Sequence, residues 1–326
     1  MNRLLLADIG GTYARFALTR EGVIGPTWAT EVRSRNNVVD AIRDFLAVDG
    51  DGSHIDGALL AVAGPVEGGR SRLTNADWTV DEEEICRAFK LPWVRVVNDL
   101  EAAAAGLPDL SQSQTRPVGP DCAALVGAPM AIIAPGTGLG VACLLDGPAG
   151  RRVIPSEGGH STLAASDPSQ ERMIGFLRDR YKHVSAERVL SGAGLSNLHM
   201  ALASIEGTGV IHQTPAQVTT AAFDGSSPLC RATVDAFCSF LGAVAGDIAL
   251  TFGARGGVFI GGGIVPRFID HLAHSTFRAQ FENKGRMKPY LARIPTRVIT
   301  HPNPAFLGLM SLVKSMRNRL PTRPAA

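Results

Sequence analysis

The chain opens on short apolar runs set between turn residues. Segments 4–7, 14–18, 58–63 and 93–97 read as strands, with Gly10-Gly11 marking a tight turn between the first two. Residues 38–46 instead carry apolar positions at helical spacing. A hairpin followed by alternating strand and helix predicts an α/β unit whose sheet mixes parallel and antiparallel pairs. From Ala123 the alternation resumes, with strands at 131–133, 141–145 and 258–260 and helices at 170–181 and about 232–252. In the last of these Phe237, Leu241, Val244 and Ile248 share one face, while Asp235 and Asp247 break the apolar run. That predicts a buried helix and not a membrane span. Residues 109–121, rich in Pro, Ser, Gln and Gly, predict a crossing between domains. A terminal apolar helix at 304–316 presents Phe306, Leu309 and Val313 on one side and needs a surface to dock on; residues 321–324 beyond it are expected to be disordered. No internal repeat is evident.

Composition narrows the partners. With 326 residues, 45% of them hydrophobic, the chain exceeds one core, so two domains sharing a cleft are expected. The 32 Lys and Arg against 30 Asp and Glu leave a formal charge of +2, which argues against nucleic acid or an anionic membrane as partner. A small molecule is expected instead. Cys86, Cys122, Cys143, Cys230 and Cys238 form no C-x-x-C pair, so neither a zinc cluster nor a disulfide framework is predicted. Asp8 arrives too early for a signal-peptide core, which predicts a cytoplasmic protein.

Five clusters carry candidate chemistry. In Asp8-Ile9-Gly10-Gly11-Thr12 a strand ends in a carboxylate and turns through two glycines, a shape that can set backbone N–H groups against phosphate oxygens while Asp8 holds Mg²⁺ directly or through water. Gly136-Thr137-Gly138, between two apolar runs, is a second such turn, although it matches neither the Walker nor the dinucleotide fingerprint. Gly261-Gly262-Gly263 after a strand leaves room for the flat face of an adenosine. Each turn alone also reads as an ordinary glycine turn. Asn98-Asp99 follows a strand, where Asp99 serves either as a general base for a hydroxyl or as the cap of the next helix, expected at 101–105. Glu157 and His160, joined by Glu187, offer several hydrogen bonds to a polyol.

The order of these motifs resembles the proteobacterial-type bacterial glucokinase family along essentially the whole chain. The blocks that carry the likeness are Glu157-Gly158-Gly159-His160 and Ser185-Ala186-Glu187-Arg188-Val189-Leu190-Ser191-Gly192; the glycine turns are shared more widely with hexokinase, actin and the chaperone ATPases. The resemblance implies a ribonuclease-H-like, actin-like fold with mixed sheets. Residues 1–109 plus 300–326 would make a small domain and 110–299 a large one, usually as a homodimer. It further implies ATP with Mg²⁺ as phosphoryl donor and glucose as acceptor. Asp99 would be the base; Asn98, Glu157, His160 and Glu187 would hold the sugar. Asp8, Gly10, Gly11, Thr12, Gly136, Thr137 and Gly138 would face phosphates, and Gly261, Gly262 and Gly263 the adenosine. Tyr13 stands where that family commonly has Asn.

Overall fold

The computed structural model describes residues 3–50, 52–73, 77–147, 150–209 and 212–319; the tail at 321–324 lies outside them. Two compact units emerge, one of Met1–Leu110, Gly150–Pro155 and His301–Ala326, the other of Ser111–Ala149 and Ser156–Thr300.

The first unit begins with the antiparallel hairpin β1 (Leu5–Ile9) and β2 (Tyr13–Arg20), which sets Asp8 opposite Arg15. Strands β3 (Val23–Ile24) and β4 (Trp28–Glu31) pair with β2, and α1 (Val38–Asp49) follows, capped by the Asn37 side chain. Then β5 (Ala58–Val62) lies parallel to β1. A side hairpin, β6 (Arg70–Arg72) with β7 (Thr79–Asp81), and helix α2 (Glu82–Phe89) lead to β8 (Val94–Asn98), parallel to β5, and to α3 (Asp99–Ala105). Every residue of β5 is buried because both sheet faces are covered, the usual fate of a parallel strand. Alternation along β1 divides the core accordingly: Leu5, Ala7 and Ile9 join Phe16, Ile42 and Phe45, while Leu4 and Leu6 join Leu59, Ala61, Ala102 and Leu309.

The second unit contains β9 (Thr115–Pro117) and the hairpin β10 (Met130–Pro135) with β11 (Leu139–Gly147). Strand β12 (Gly150–Ser156) comes next; its residues to Pro155 go with the first unit, where Arg151 bonds Asp109 at 2.8 Å and Ser311 at 2.7 Å. Helices α4 (Pro168–Tyr181), α5 (Gly192–Glu206), α6 (Pro215–Phe223) and α7 (Pro228–Phe252) precede β13 (Gly257–Ile260). The short helices α8 (Ile269–His274), α9 (Phe277–Glu282) and α10 (Lys288–Leu291) then lead to β14 (Thr296–Ile299). Within the sheet the strands run β11-β10-β13-β14-β9, with β10, β13 and β14 parallel. Helix α7 is long and apolar enough to cross a membrane, but Phe237 and Leu241 are fully buried in this unit's core. Ser227 caps it, Pro228 occupies its first turn, and Gly253 ends it at φ 60°.

Both units therefore repeat one plan, a glycine-turned hairpin whose first strand continues into parallel neighbours, although no repeat is visible in the sequence. Among the boundaries that differ from expectation, two have a clear physical reason. Helix α3 starts at Asp99, because Asn98 supplies the cap. The 109–121 stretch is not all connector: β9 pairs antiparallel with β14, and the Val118 N–H donates to the Thr296 carbonyl at 2.9 Å.

The terminal helix α11 (Pro304–Arg319) docks within the first unit on α3, so closely that a Cβ at Gly308 would lie 1.5 Å from the Ala102 carbonyl oxygen. Gly308→Ala should cost about 1–3 kcal/mol in urea unfolding, since one helix must move away from the other. Unchanged stability would mean that the two helices do not meet as described.

Candidate active site

Three parallel strands of the first unit end side by side. Register pairs Ile9 with Val62 and Val62 with Asn98, so Asp8, Gly64 and Asp99 gather at one carboxyl edge, where open α/β sheets present ligands. Asp8 and Asp99 stand two strands apart, about 10 Å between backbones. Asn98 organises this edge. Its Oδ1 accepts from the Leu100 and Glu101 amides at 3.0 and 3.2 Å, and its Nδ2 donates to the Gly64 carbonyl at 3.0 Å. The cap reading of the pair thus falls to Asn98, and Asp99 is left as the first helical residue, its Oδ1 accepting from the Leu100 amide at 2.8 Å.

Charge at this edge is poorly solvated. Burial pushes Asp99 up to about 6, the negative Asp8 adds to that rise, and the Leu100 amide opposes it. Burial also raises Asp8, against the lowering effect of Arg15, whose guanidinium lies 3.5 Å from the Asp8 carboxylate. Arg15 was missed in the sequence, yet a tight hairpin turn at 10–12 already places residue 15 opposite residue 8.

The two glycine turns share a hydrogen-bond pattern. In the first, the Gly10 N–H is spent on the Tyr13 carbonyl at 2.9 Å; in the second, the Gly136 N–H is spent on the Gly138 carbonyl at 2.8 Å. Among the described residues the next two amides of each turn, at Gly11 and Thr12 and at Thr137 and Gly138, donate to no backbone carbonyl. Each turn therefore presents a pair of adjacent N–H groups, the form in which backbone binds anions. Tyr13 contributes its carbonyl to the first turn and is itself 45% exposed.

In the second unit the Gly261–Gly263 turn packs directly on the end of β10, where the Gly136–Gly138 turn begins. The Gly261 amide donates to Ile133 at 2.8 Å, and Gly262, at φ +79°, sits where a Cβ would come within 2.1 Å of the Pro135 oxygen. Only glycine fits. Glu157 precedes and His160 ends a short 3-10 turn, their side chains 3.8 Å apart and exposed. Glu187, another expected sugar ligand, belongs to the same unit, but its Oε2 already accepts from the Leu139 amide at 2.9 Å. Nothing in the sequence signalled that contact. The candidates thus fall into two groups: Asp8, Gly10, Gly11, Thr12, Asn98 and Asp99 in the first unit, the remainder in the second.

Asp8 is the one carboxylate that the sequence reading expects to hold magnesium. The described residues hold no group of three or more acidic, His or Cys side chains for a metal, and this ion commonly takes one or two carboxylates with phosphate and water completing its shell.

Known proteins resemble this chain over nearly its full length. The sequence model of one family, described as Glucokinase, matches residues 5–316. A glucokinase of Nitrobacter hamburgensis is 44% identical over 94% of this chain and 96% of its own. The crystal structure of a glucokinase from an Antarctic psychrotroph superposes with a TM-score of 0.87 at 36% identity, covering 97% of this chain and 99% of that one. A ROK family glucokinase from Streptomyces griseus, solved with glucose and AMPPNP, shares the fold at 19% identity and a TM-score of 0.66 across 96% and 100% of the two chains. The fold is the two-domain actin-like ATPase architecture of these sugar kinases.

The electrostatics of the first unit's edge are directly measurable. Carboxyl-carbon NMR should find Asp99 titrating near 6, and Asp8→Asn should lower that value. Because the folded pKa lies above the ordinary 3.8, the native state holds the proton more tightly. Stability from this group is complete below pH about 4 and is lost as pH rises through 6. Asp99→Asn should therefore unfold later than the parent at pH 8, by on the order of 3 kcal/mol, and no later at pH 4. An Asp99 titrating near 4 would contradict the desolvated edge.

Proposed function

From the premise that this chain belongs to the glucokinase family, we propose how its own residues carry the reaction. The protein is an ATP-dependent glucose kinase, passing the γ-phosphoryl group of ATP to glucose and yielding glucose phosphate and ADP. The observation that carries the assignment of the base is the desolvated Asp99 at the strand edge. With its pKa at about 6 it is ionised at neutral pH yet more basic than an ordinary carboxylate, which suits a group that accepts the proton of the 6-hydroxyl as that oxygen attacks phosphorus. Asn98 keeps it oriented through the cap and the Gly64 bond.

Phosphoryl transfer asks a protein mainly for positioning and charge neutralisation. The amides of Gly11, Thr12, Thr137 and Gly138 are suited to the phosphate oxygens, with the Gly10 and Gly136 amides closing their turns. Gly261, Gly262 and Gly263 would lie against the adenosine. Asp8 would hold the magnesium that accompanies ATP, an ion that neutralises phosphate charge. Glu157, His160 and Glu187 would hydrogen-bond the sugar, joined by the second Asn98 amide hydrogen. The reading includes a cytoplasmic homodimer with residues 1–109 plus 300–326 as small domain and 110–299 as large.

Asp99→Ala should reduce kcat by roughly 10²–10⁴-fold, and the parent's kcat/KM should climb with pH through an apparent pKa of about 6. Near-normal turnover in the variant would remove Asp99 as the base. Glu157, whose side chain is 82% exposed, makes a second test. Glu157→Ala should raise the KM for glucose about ten-fold or more while leaving the KM for ATP and the thermal stability nearly unchanged. An unaltered glucose KM would take it out of the sugar site.

A further inference from the structure

Leu139 links two parts of the second unit that the proposed reaction treats separately. Its N–H donates to Glu187 Oε2 at 2.9 Å. Its carbonyl oxygen faces the sugar turn, where a Cβ on Gly159 would lie only 2.0 Å away. The same Glu187 oxygen covers the phosphate turn, since a Cβ on Gly138 would lie 2.5 Å from it. On its far side the turn is pinned by the Gly192 amide, which donates to the Gly136 carbonyl at 2.9 Å. The Glu187 segment is in turn tied to the sugar turn, the Ala186 amide donating to Ser161 and the Leu163 amide to Val184, each at 3.0 Å. Sugar turn, Glu187 and phosphate turn are thus one hydrogen-bonded cluster inside a single unit.

A carboxylate is a costly choice for this place. Held over a turn meant for phosphates, it repels them, and a glutamine could accept the same Leu139 N–H without that repulsion. The charge must be useful to something other than the nucleotide. A carboxylate has two oxygens; with Oε2 on Leu139, Oε1 is available to a hydroxyl donor.

We propose that Glu187 is a positioning residue for the phosphate turn as well as a sugar ligand, so that a sugar hydroxyl on one oxygen fixes the bond from the other to Leu139 and prepares the turn for nucleotide. This rests on the reading that Glu187 contacts the sugar. Ordering the carboxylate removes part of the cost that nucleotide would otherwise meet in ordering the turn, and by linkage nucleotide strengthens sugar binding by the same factor.

The test is calorimetric binding of the imido analogue AMPPNP with Mg²⁺, without sugar, to the parent and to Glu187→Gln, Glu187→Ala and Glu187→Met. Glucose titrations and amide exchange at Leu139 accompany it. Glu187→Gln keeps an acceptor without the charge and should bind sugar-free AMPPNP at least as tightly as the parent, with Leu139 still protected. Glu187→Ala and the equally long Glu187→Met lack it, and should bind sugar-free AMPPNP about ten-fold more weakly with Leu139 exchanging freely. Either of the two suffices if the other does not fold. All should weaken glucose. Parent-like AMPPNP affinity and Leu139 protection in the acceptor-free variants, with glucose weakened, would overturn the positioning role and leave Glu187 a sugar ligand only. Unchanged glucose affinity in every variant would instead overturn the sugar contact on which the proposal rests.

Discussion

In-register pairing of parallel strands at their carboxyl ends is the constraint on which the rest depends. In the first unit it aligns Ile9, Val62 and Asn98; in the second it aligns Ile133 with Ile260. Chain leaving such an edge has no further strand partner, and each unit uses that freedom in the same way. One strand turns back through glycines into a hairpin, and its parallel neighbours lead to a helix or a short turn. What this repeated plan leaves at the edges is a glycine turn in each unit, joined in the first by the carboxylates of Asp8 and Asp99.

The two units handle polarity differently. The first accepts partly buried charge, raising Asp8 and Asp99 together and offsetting only Asp8 with Arg15. Stability is given up there for a more basic carboxylate, as functional sites commonly do. The second relies on uncharged backbone contacts so close that glycine is obligatory, at Gly262 against Pro135 and Gly159 against Leu139. Its side chains Glu157 and His160 stand in solvent, 3.8 Å from each other.

Much of this was legible in the sequence because it is local. The hairpins announce themselves through glycine turns between apolar runs, and the strand before Asn98 through its apolar residues. Helix α5 was not legible, since nine of its fifteen residues are buried and its pattern has little amphipathic contrast. Strands β4, β9 and β14 are short, and only their neighbours give them meaning. The division of labour between Asn98 and Asp99 needed the Gly64 carbonyl, a partner 34 residues away. The Glu187 bond to Leu139 spans 48 residues and has no sequence signature at all. The two units show no sequence repeat, while the plan of hairpin and parallel strands is present in both.

The account stands most directly on turnover by the unmodified protein. Mg-ATP consumption would be followed with a panel of hexoses and without sugar, and the phosphorylated product identified by mass. A hexose monophosphate formed from glucose, with little ATP hydrolysed in its absence, is the predicted result. Rapid hydrolysis without sugar, or glucose bound and never phosphorylated, would contradict it.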